Sequence, residues 1–202
     1  MEFTGERFVP GTAGRMKLEH LQRYALCRGL VRGKRVLDIA TGEGYGAAML
    51  CGSASRVIGV DVAADAILHA RAKYRAANVH FVVGACEAIP LAAGSIDVIV
   101  SFETIEHLVD HDAMMREFRR VLAPGGLFFA RLASSIGLES RIQRVRGRVD
   151  LPDGSERFVV DEPMLLQWAE RLGAQMLDPI KTTNVQYQRC MTTWCLLKPA
   201  PA

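Results

Sequence analysis

Short apolar runs alternate with longer segments of helical spacing through most of the chain. Val36, Leu37, Ile39 and Ala40 form the first run, and residues 56–61, 79–83, 96–102 and 127–132 form four more. Near-continuous runs of this length suit strands covered on both faces, where neither side of the pleat meets water. Between them, residues 45–51 predict a short helix, and residues 63–76 predict a longer one that turns Ile67, Leu68 and Ala70 toward the core. Residues 111–122 carry Met114, Met115, Phe118, Val121 and Leu122 on or beside one face, which is amphipathic helical spacing. Strands alternating with helices predict βαβ units and a mainly parallel sheet, because parallel neighbours need crossover connections.

The two ends are less regular. Gly5, Pro10, Gly11 and Gly14 predict an irregular arm, followed over residues 16–31 by a helix with Leu18, Leu21, Ala25 and Leu30 near one stripe. Glu19, His20, Arg23 and Tyr24 accompany that stripe, so the segment either caps a ligand pocket or packs on the sheet edge. Pro124-Gly125-Gly126 closes the 111–122 helix. Periodicity then fails over residues 134–160, where Arg141, Arg144, Arg146 and Arg148 form a basic cluster. Such a cluster either receives phosphate or carboxylate or serves as a solvated face. Residues 161–172 predict a last helix with Asp161 as N-cap and Met164, Leu165, Trp168 and Leu172 inward, ended by Gly173. Residues 175–183 and 189–197 predict two more strands.

Composition narrows the class. A chain of 202 residues, 50% hydrophobic and 23% charged, suits one α/β domain with a packed core. Its expected parts are an arm and helix over 1–32, a core over 33–132, and a variable region with closing strands over 133–202. No apolar run reaches the roughly 18 residues needed to span a bilayer, and the N-terminus lacks a signal peptide's basic start and apolar core. Cysteines 27, 51, 86, 190 and 195 are odd in number and scattered, without the C-x-x-C spacing of a zinc site. They indicate a reducing compartment, so a cytoplasmic protein is expected. The net charge of +3 does not by itself imply nucleic acid as a partner.

Candidate chemistry gathers at D-I-A-T-G-E-G-Y-G, where Gly42, Gly44 and Gly46 follow the first strand. Glycine permits positive φ and lacks the Cβ that would hold a ligand off the backbone. Asp38 precedes this turn, where its carboxylate can accept from an ammonium or, through water, from other donors. Asp61, with Val62 after it, ends the second strand, a place from which a carboxylate reaches both hydroxyls of a ribose. A nucleoside carrying an amino acid satisfies both acids.

These residues resemble the first motif of the class I S-adenosylmethionine-dependent methyltransferases. The E-R-F-V-P and E-H-L-Q-R-Y segments near the start resemble bacterial members associated with surface-polysaccharide pathways. The resemblance implies a Rossmann-like, doubly wound sheet of seven strands with an antiparallel last strand, and S-adenosyl-L-methionine as cofactor. In G-A-C-E-A-I-P-L, which resembles the adenine-contacting loop, Ala85 stands where an aspartate often receives the adenine amino group, leaving Cys86, Glu87 or a backbone carbonyl to compensate. By the same resemblance, Ser101, Phe102, Glu103, Glu106 and His107 follow from the strand end that faces cofactor and acceptor. Glu103, Glu106 and His107 stand at i, i+3 and i+4, which an α-helical turn gathers on one face. Their E-x-x-E-H spacing also resembles a metal-binding segment of some methyltransferases, against which stands a histidine that simply stabilises the loop.

The expected activity is methyl transfer to a small-molecule or glycan-related acceptor, most simply at oxygen, with His107 as general base and Glu103 as second candidate. Asp38, Gly42, Gly44, Gly46, Asp61, Val62, Cys86, Glu87 and Ser101 are the expected cofactor contacts, with no metal assigned. Two other readings stand beside it. A nicotinamide-dependent oxidoreductase also uses a glycine turn and a ribose acid, although the spacing here is G-x-G-x-G; a cofactor-binding scaffold without turnover is the other.

Overall fold

The computed structural model describes residues 15–102, 104–131, 147–150, 156–159, 162–184 and 189–197. Helix α1 (Arg15–Cys27) leads into β1 (Arg35–Ile39), α2 (Tyr45–Leu50), β2 (Arg56–Asp61), α3 (Ala64–Lys73) and β3 (Val79–Val83). Strand β4 (Ile96–Phe102), a 3-10 turn (Ile105–His107), α4 (His111–Val121) and β5 (Leu122–Arg131) complete the core. Strands β1 to β5 form a parallel sheet in the order β3-β2-β1-β4-β5. The chain therefore builds outward from β1 to β3 and then returns to the other side of β1. That reversal opens a crevice beyond the carboxyl ends of β1 and β4, where open α/β sheets receive ligands.

Strand alternation divides the core between two faces. Leu37, Ile39, Ile58 and Ile99 join Met114, Met115 and Phe118 of α4 on one side. Val36, Val57, Val98 and Val100 join Leu50, Ile67 and Ala70 of α2 and α3 on the other. A strand with apolar residues in both sets must be covered twice, which is why its sequence reads as a continuous apolar run. At the opposite end from the crevice, the Arg35 guanidinium donates to Asp97 Oδ1 at 2.7 Å and the Arg35 amide donates to Oδ2 at 2.8 Å, tying β1 to β4.

Several boundaries differ from the sequence expectation. Helix α3 stops at Lys73 because Tyr74 is extended, at φ −114° and ψ 109°, and the chain turns so that the Asn78 amide donates to Cys51 O and Ala54 O. Strand β5 begins at Leu122, opposite Ile96, and pairing resumes at Val98–Leu127 after an irregularity containing Pro124-Gly125-Gly126. Inside the stretch without periodicity lies an antiparallel pair, β6 (Gly147–Asp150) and β7 (Glu156–Val159), separate from the main sheet, with β7 beside the 3-10 turn. Two four-residue strands of mixed polarity carry too little alternation to be seen in the sequence. Helix α5 (Glu162–Leu172) and strands β8 (Gln175–Asn184) and β9 (Arg189–Leu197) follow. The N-terminal arm, Glu103, Asp161 and three of the four clustered arginines, Arg141, Arg144 and Arg146, lie outside the described residues.

Candidate active site

The crevice holds a cavity of about 520 Å³. Ile39 and Ala40 at the end of β1 form its floor, and Asp61 and Val62 at the end of β2 form one wall. Residues 84–87 after β3 and Thr104, His107 and Leu108 after β4 complete the lining. Five expected site residues, Asp61, Val62, Cys86, Glu87 and His107, thus meet around one space. Asp38, Gly42, Gly44, Gly46 and Ser101 are not in its lining, and Glu103 lies outside the described residues.

Asp61 is 8% exposed and organises the turn from the neighbouring strand. Its Oδ2 accepts from the Gly42 amide at 2.8 Å and its Oδ1 accepts from the Ala63 amide at 2.9 Å. Each carboxylate oxygen has a second lone-pair direction, so acceptor capacity remains for a ligand. Val62 beside it is 73% exposed.

Asp38 has no exposed surface and works inside the protein. Its Oδ1 accepts from the Tyr24 hydroxyl at 3.0 Å and its Oδ2 from the Thr41 hydroxyl at 2.5 Å. The carboxylate therefore buckles α1 to the glycine turn. Burial raises its pKa to about 6, against the opposing effect of the two hydroxyls and the Ala47 amide. Burial also raises the Tyr24 phenol well above its ordinary value, and the adjoining Asp38 charge adds to this. The ring of Tyr24 meets Phe102 edge-on with centroids 5.0 Å apart, so the clamp reaches β4 as well.

The glycines of the turn do not all make room for a ligand. A Cβ on Gly44 would lie 2.6 Å from the Phe81 ring and 2.8 Å from the Ala70 Cβ, and one on Gly46 would lie 2.0 Å from the Tyr24 ring. Only beside Gly42, at φ +55°, is the space open. Ala40, on the cavity floor, also has positive φ, 57°, a conformation that costs an L-residue about 1–2 kcal/mol. Glu43 within the turn is buried, with its Oε2 3.6 Å from His69 Nε2 of α3.

The opposite wall is held from α4. Glu117 Oε2 accepts from the Ile89 amide at 2.7 Å, while Arg120 donates to Ile89 O at 2.8 Å and Leu91 O at 2.6 Å, which fixes the chain just after residues 84–87. Cys86 is nearly buried and its thiol is pushed up to about 12, first by burial and then by the charges of Glu87 and Asp61, so it presents a neutral sulfur to the cavity. Ser101 is fully buried between β1 and β5, and its hydroxyl has no partner among the described residues.

His107 is exposed and lines the cavity from the 3-10 turn. The turn is not α-helical, and in 3-10 geometry residues three apart align while those four apart do not. Of the expected Glu103, Glu106 and His107 face, Glu103 lies outside the described residues. A different histidine is the structural one: His111 is buried, its Nε2 lies 2.8 Å from Ile105 O, and its ring stacks on Trp168 with centroids 5.3 Å apart. The sequence names Tyr24 without its bond to Asp38, and it gives no sign of this brace, of Thr41 or of the Glu117–Arg120 pair. Only the i, i+3 spacing of that last pair is visible in the chain.

Residues 37–130 match the family described as Methyltransferase domain. A probable S-adenosylmethionine-dependent methyltransferase of Mycolicibacterium smegmatis is 38% identical over 130 residues, which cover 63% of this chain and 50% of the relative. The chain thus spans about half the length of that relative. The ubiquinone biosynthesis O-methyltransferase of Coxiella burnetii is 28% identical over 212 residues, covering 89% of this chain and 88% of that protein. Among solved structures, an S-adenosylmethionine-dependent methyltransferase from Mesorhizobium loti has a TM-score of 0.73 at 20% identity, covering 89% of this chain and 99% of that one. The fold is the Rossmann-like methyltransferase fold. The segment 37–130 is thus similar to methyltransferase domains, and the relative from Mycolicibacterium smegmatis and the structure from Mesorhizobium loti are described as S-adenosylmethionine-dependent. These likenesses support neither the oxidoreductase nor the scaffold reading.

Proposed function

We propose that the chain methylates a hydroxyl group of a small-molecule or glycan-related acceptor. The observation that carries this reading is the meeting of the Asp61 carboxylate and the exposed His107 imidazole on one cavity at the sheet's switch point. The cavity suits a nucleoside donor on two counts: its volume of about 520 Å³ and the spare acceptor capacity of Asp61. S-adenosylmethionine, when bound, supplies an electrophilic methyl group. Asp61 binds the ribose hydroxyls, Val62 and Cys86 supply apolar contact, and Glu87 accepts from the adenine side. Asp38, Gly44 and Gly46 act by shaping the turn, and Ser101, buried in β4 beneath the cavity, is a contact only for a ligand that reaches below its floor. His107 takes the acceptor's proton, imidazole being the side chain suited to that task near neutral pH, and Glu103 is the second candidate.

Several broader features belong to the same proposal. A single domain is supported by the continuous element order, and a seven-stranded sheet with an antiparallel last strand by the pairing of β9 with β5 from Leu127–Leu197 to Arg131–Thr193. Oxygen as the methylated atom is supported by the similarity to an O-methyltransferase. Among the described residues no helix is long and apolar enough to cross a membrane.

The test is release of S-adenosylhomocysteine against a panel of phenolic, carboxylic and sugar hydroxyls. With a working acceptor, His107→Ala is expected to slow the single-turnover rate by ~100-fold or more at saturating cofactor, with cofactor affinity unchanged. A folded variant that keeps the parental rate removes His107 from the mechanism.

A further inference from the structure

A second concave site lies at the other end of the sheet, where α3 hands over to the edge strand β3. It has a volume of about 480 Å³, and Arg71, Tyr74, Arg75 and His80 are among the residues that line it. It faces away from the crevice at the carboxyl ends of the strands and goes beyond the methyl-transfer reading. We propose that this site binds a small phosphate-bearing anion, a phosphomonoester or pyrophosphate group.

Positive charge is concentrated around this site. No Asp or Glu occurs from Ala66 to Cys86, while His69, Arg71, Lys73, Arg75 and His80 all fall within that stretch. Cations in the last helical turn complement the carbonyl end of a helix, which accounts for Arg71 and Lys73. Arg75 Nε also serves that end, but this leaves unexplained His80, which lies beyond the helix, and the gathering of Arg71, Arg75 and His80 around one cavity.

Geometry adds preorganisation. Arg71 donates from Nε to Phe81 O at 2.8 Å, and Arg75 donates from Nε to Ala72 O at 3.1 Å. Each guanidinium is held by its inner nitrogen, and among the described residues neither uses its terminal nitrogens on a protein acceptor or pairs with a carboxylate. A fork fixed at its base and open at its tips suits a tetrahedral oxyanion, which takes paired N–H donors. Ala76 and Ala77 line the remaining space with small side chains. The donors converge on a pocket of ligand size instead of forming a stripe, and the whole chain carries only +3, both of which favour a small anion over a nucleic-acid backbone.

The experiment is a calorimetric titration of the full chain with sodium pyrophosphate at low ionic strength, paired with amide chemical-shift mapping. Saturable one-to-one binding is expected, with shifts concentrated over residues 71–81. Arg75→Gln should weaken binding at least threefold and the Arg71→Gln, Arg75→Gln double variant at least tenfold, with S-adenosylhomocysteine affinity unchanged. Because Arg71 also bonds Phe81 O, Ala77→Glu is the control: it removes no contact made by either arginine, places an acid in the cavity, and should abolish pyrophosphate binding while the thermal midpoint stays put. Non-saturable binding, dispersed shifts, or equal affinity in all variants overturns the proposal. So does tight binding of a short single-stranded RNA that pyrophosphate does not displace, since that identifies the surface as a polyanion face.

Discussion

Gly46→Ala adds one methyl group at a position where the neighbouring space is already taken. Its Cβ would stand 2.0 Å from Tyr24 Cζ, 2.3 Å from Cε1 and 2.5 Å from the hydroxyl oxygen. Tyr24 is 5% exposed, wedged edge-on against Tyr45 and Phe102, and bonded to Asp38, so it has no vacant rotamer to retreat into without losing those contacts. Overpacking of a tight core costs about 1–3 kcal/mol. Losing a hydrogen bond to a charged acceptor adds about 1.5–3 kcal/mol. Alanine's better helix propensity in α2 returns about 1 kcal/mol. The net destabilisation is about 1.5–5 kcal/mol, which for a chain of this size lowers the thermal midpoint by roughly 3–20 °C. Urea unfolding of the parent, Gly46→Ala, Tyr24→Ala and the double variant measures it. In the Tyr24→Ala background the added methyl should be neutral or stabilising by up to about 1 kcal/mol. A midpoint unchanged or raised in the single variant, or equal losses in both backgrounds, would refute the clamp.

Asp38→Asn should remove a pH dependence. With a folded pKa of about 6 against 3.8 when unfolded, the native state keeps a proton that the unfolded chain has released, so this group's contribution is full below pH 3.8 and declines as pH rises through about 6. The decline amounts to about 3 kcal/mol, so the stability of the Asp38→Asn variant relative to the parent should rise by that order between pH 4 and 7 in the absence of cofactor. Hydrogen bonds from Arg35 and Arg120 lower the pKa of Asp97 and Glu117, whose contributions are instead lost as pH falls, but both proteins share these; parallel curves for parent and variant would contradict the assignment. Gly44→Val should cost fold stability, through contact with Phe81 and Ala70, instead of selectively blocking the cofactor. A thermal midpoint near the parent's combined with lost cofactor binding would restore the ligand-facing role to that glycine.

The parts of this molecule legible in the sequence are those set by burial along one strand. Val36, Leu37 and Ile39 announce β1 because both faces of the strand are covered, and Asp61 stands out because an acid ending such a run has to meet a turn or a ligand. What stayed hidden depends on partners far apart in the chain. Tyr24 and Asp38 are separated by 14 positions and meet only when α1 folds over the turn. The same concealment affects Gly44 and Gly46, since the sequence displays a missing Cβ without saying whether a ligand, Phe81 or Tyr24 fills the space. His107 and His111 are alike in composition, and only tertiary packing separates the exposed imidazole at the cavity from the buried one that holds the turn. The positive φ of Ala40 has no signature at all, alanine being a poor choice for that conformation.

The proposed function depends most directly on Asp61 as the ribose acceptor of the cavity. Calorimetric titration of S-adenosylmethionine into the parent, Asp61→Ala and Glu87→Ala proteins tests it, with thermal unfolding of each sample reporting the stability that Asp61 also supplies through the Gly42 and Ala63 amides. The charge-assisted hydrogen bonds to be lost are worth ~1.5–3 kcal/mol, so Asp61→Ala is expected to bind roughly tenfold to more than a hundredfold more weakly than the parent, and Glu87→Ala much less so. Near-parental affinity in a folded Asp61→Ala protein would contradict it.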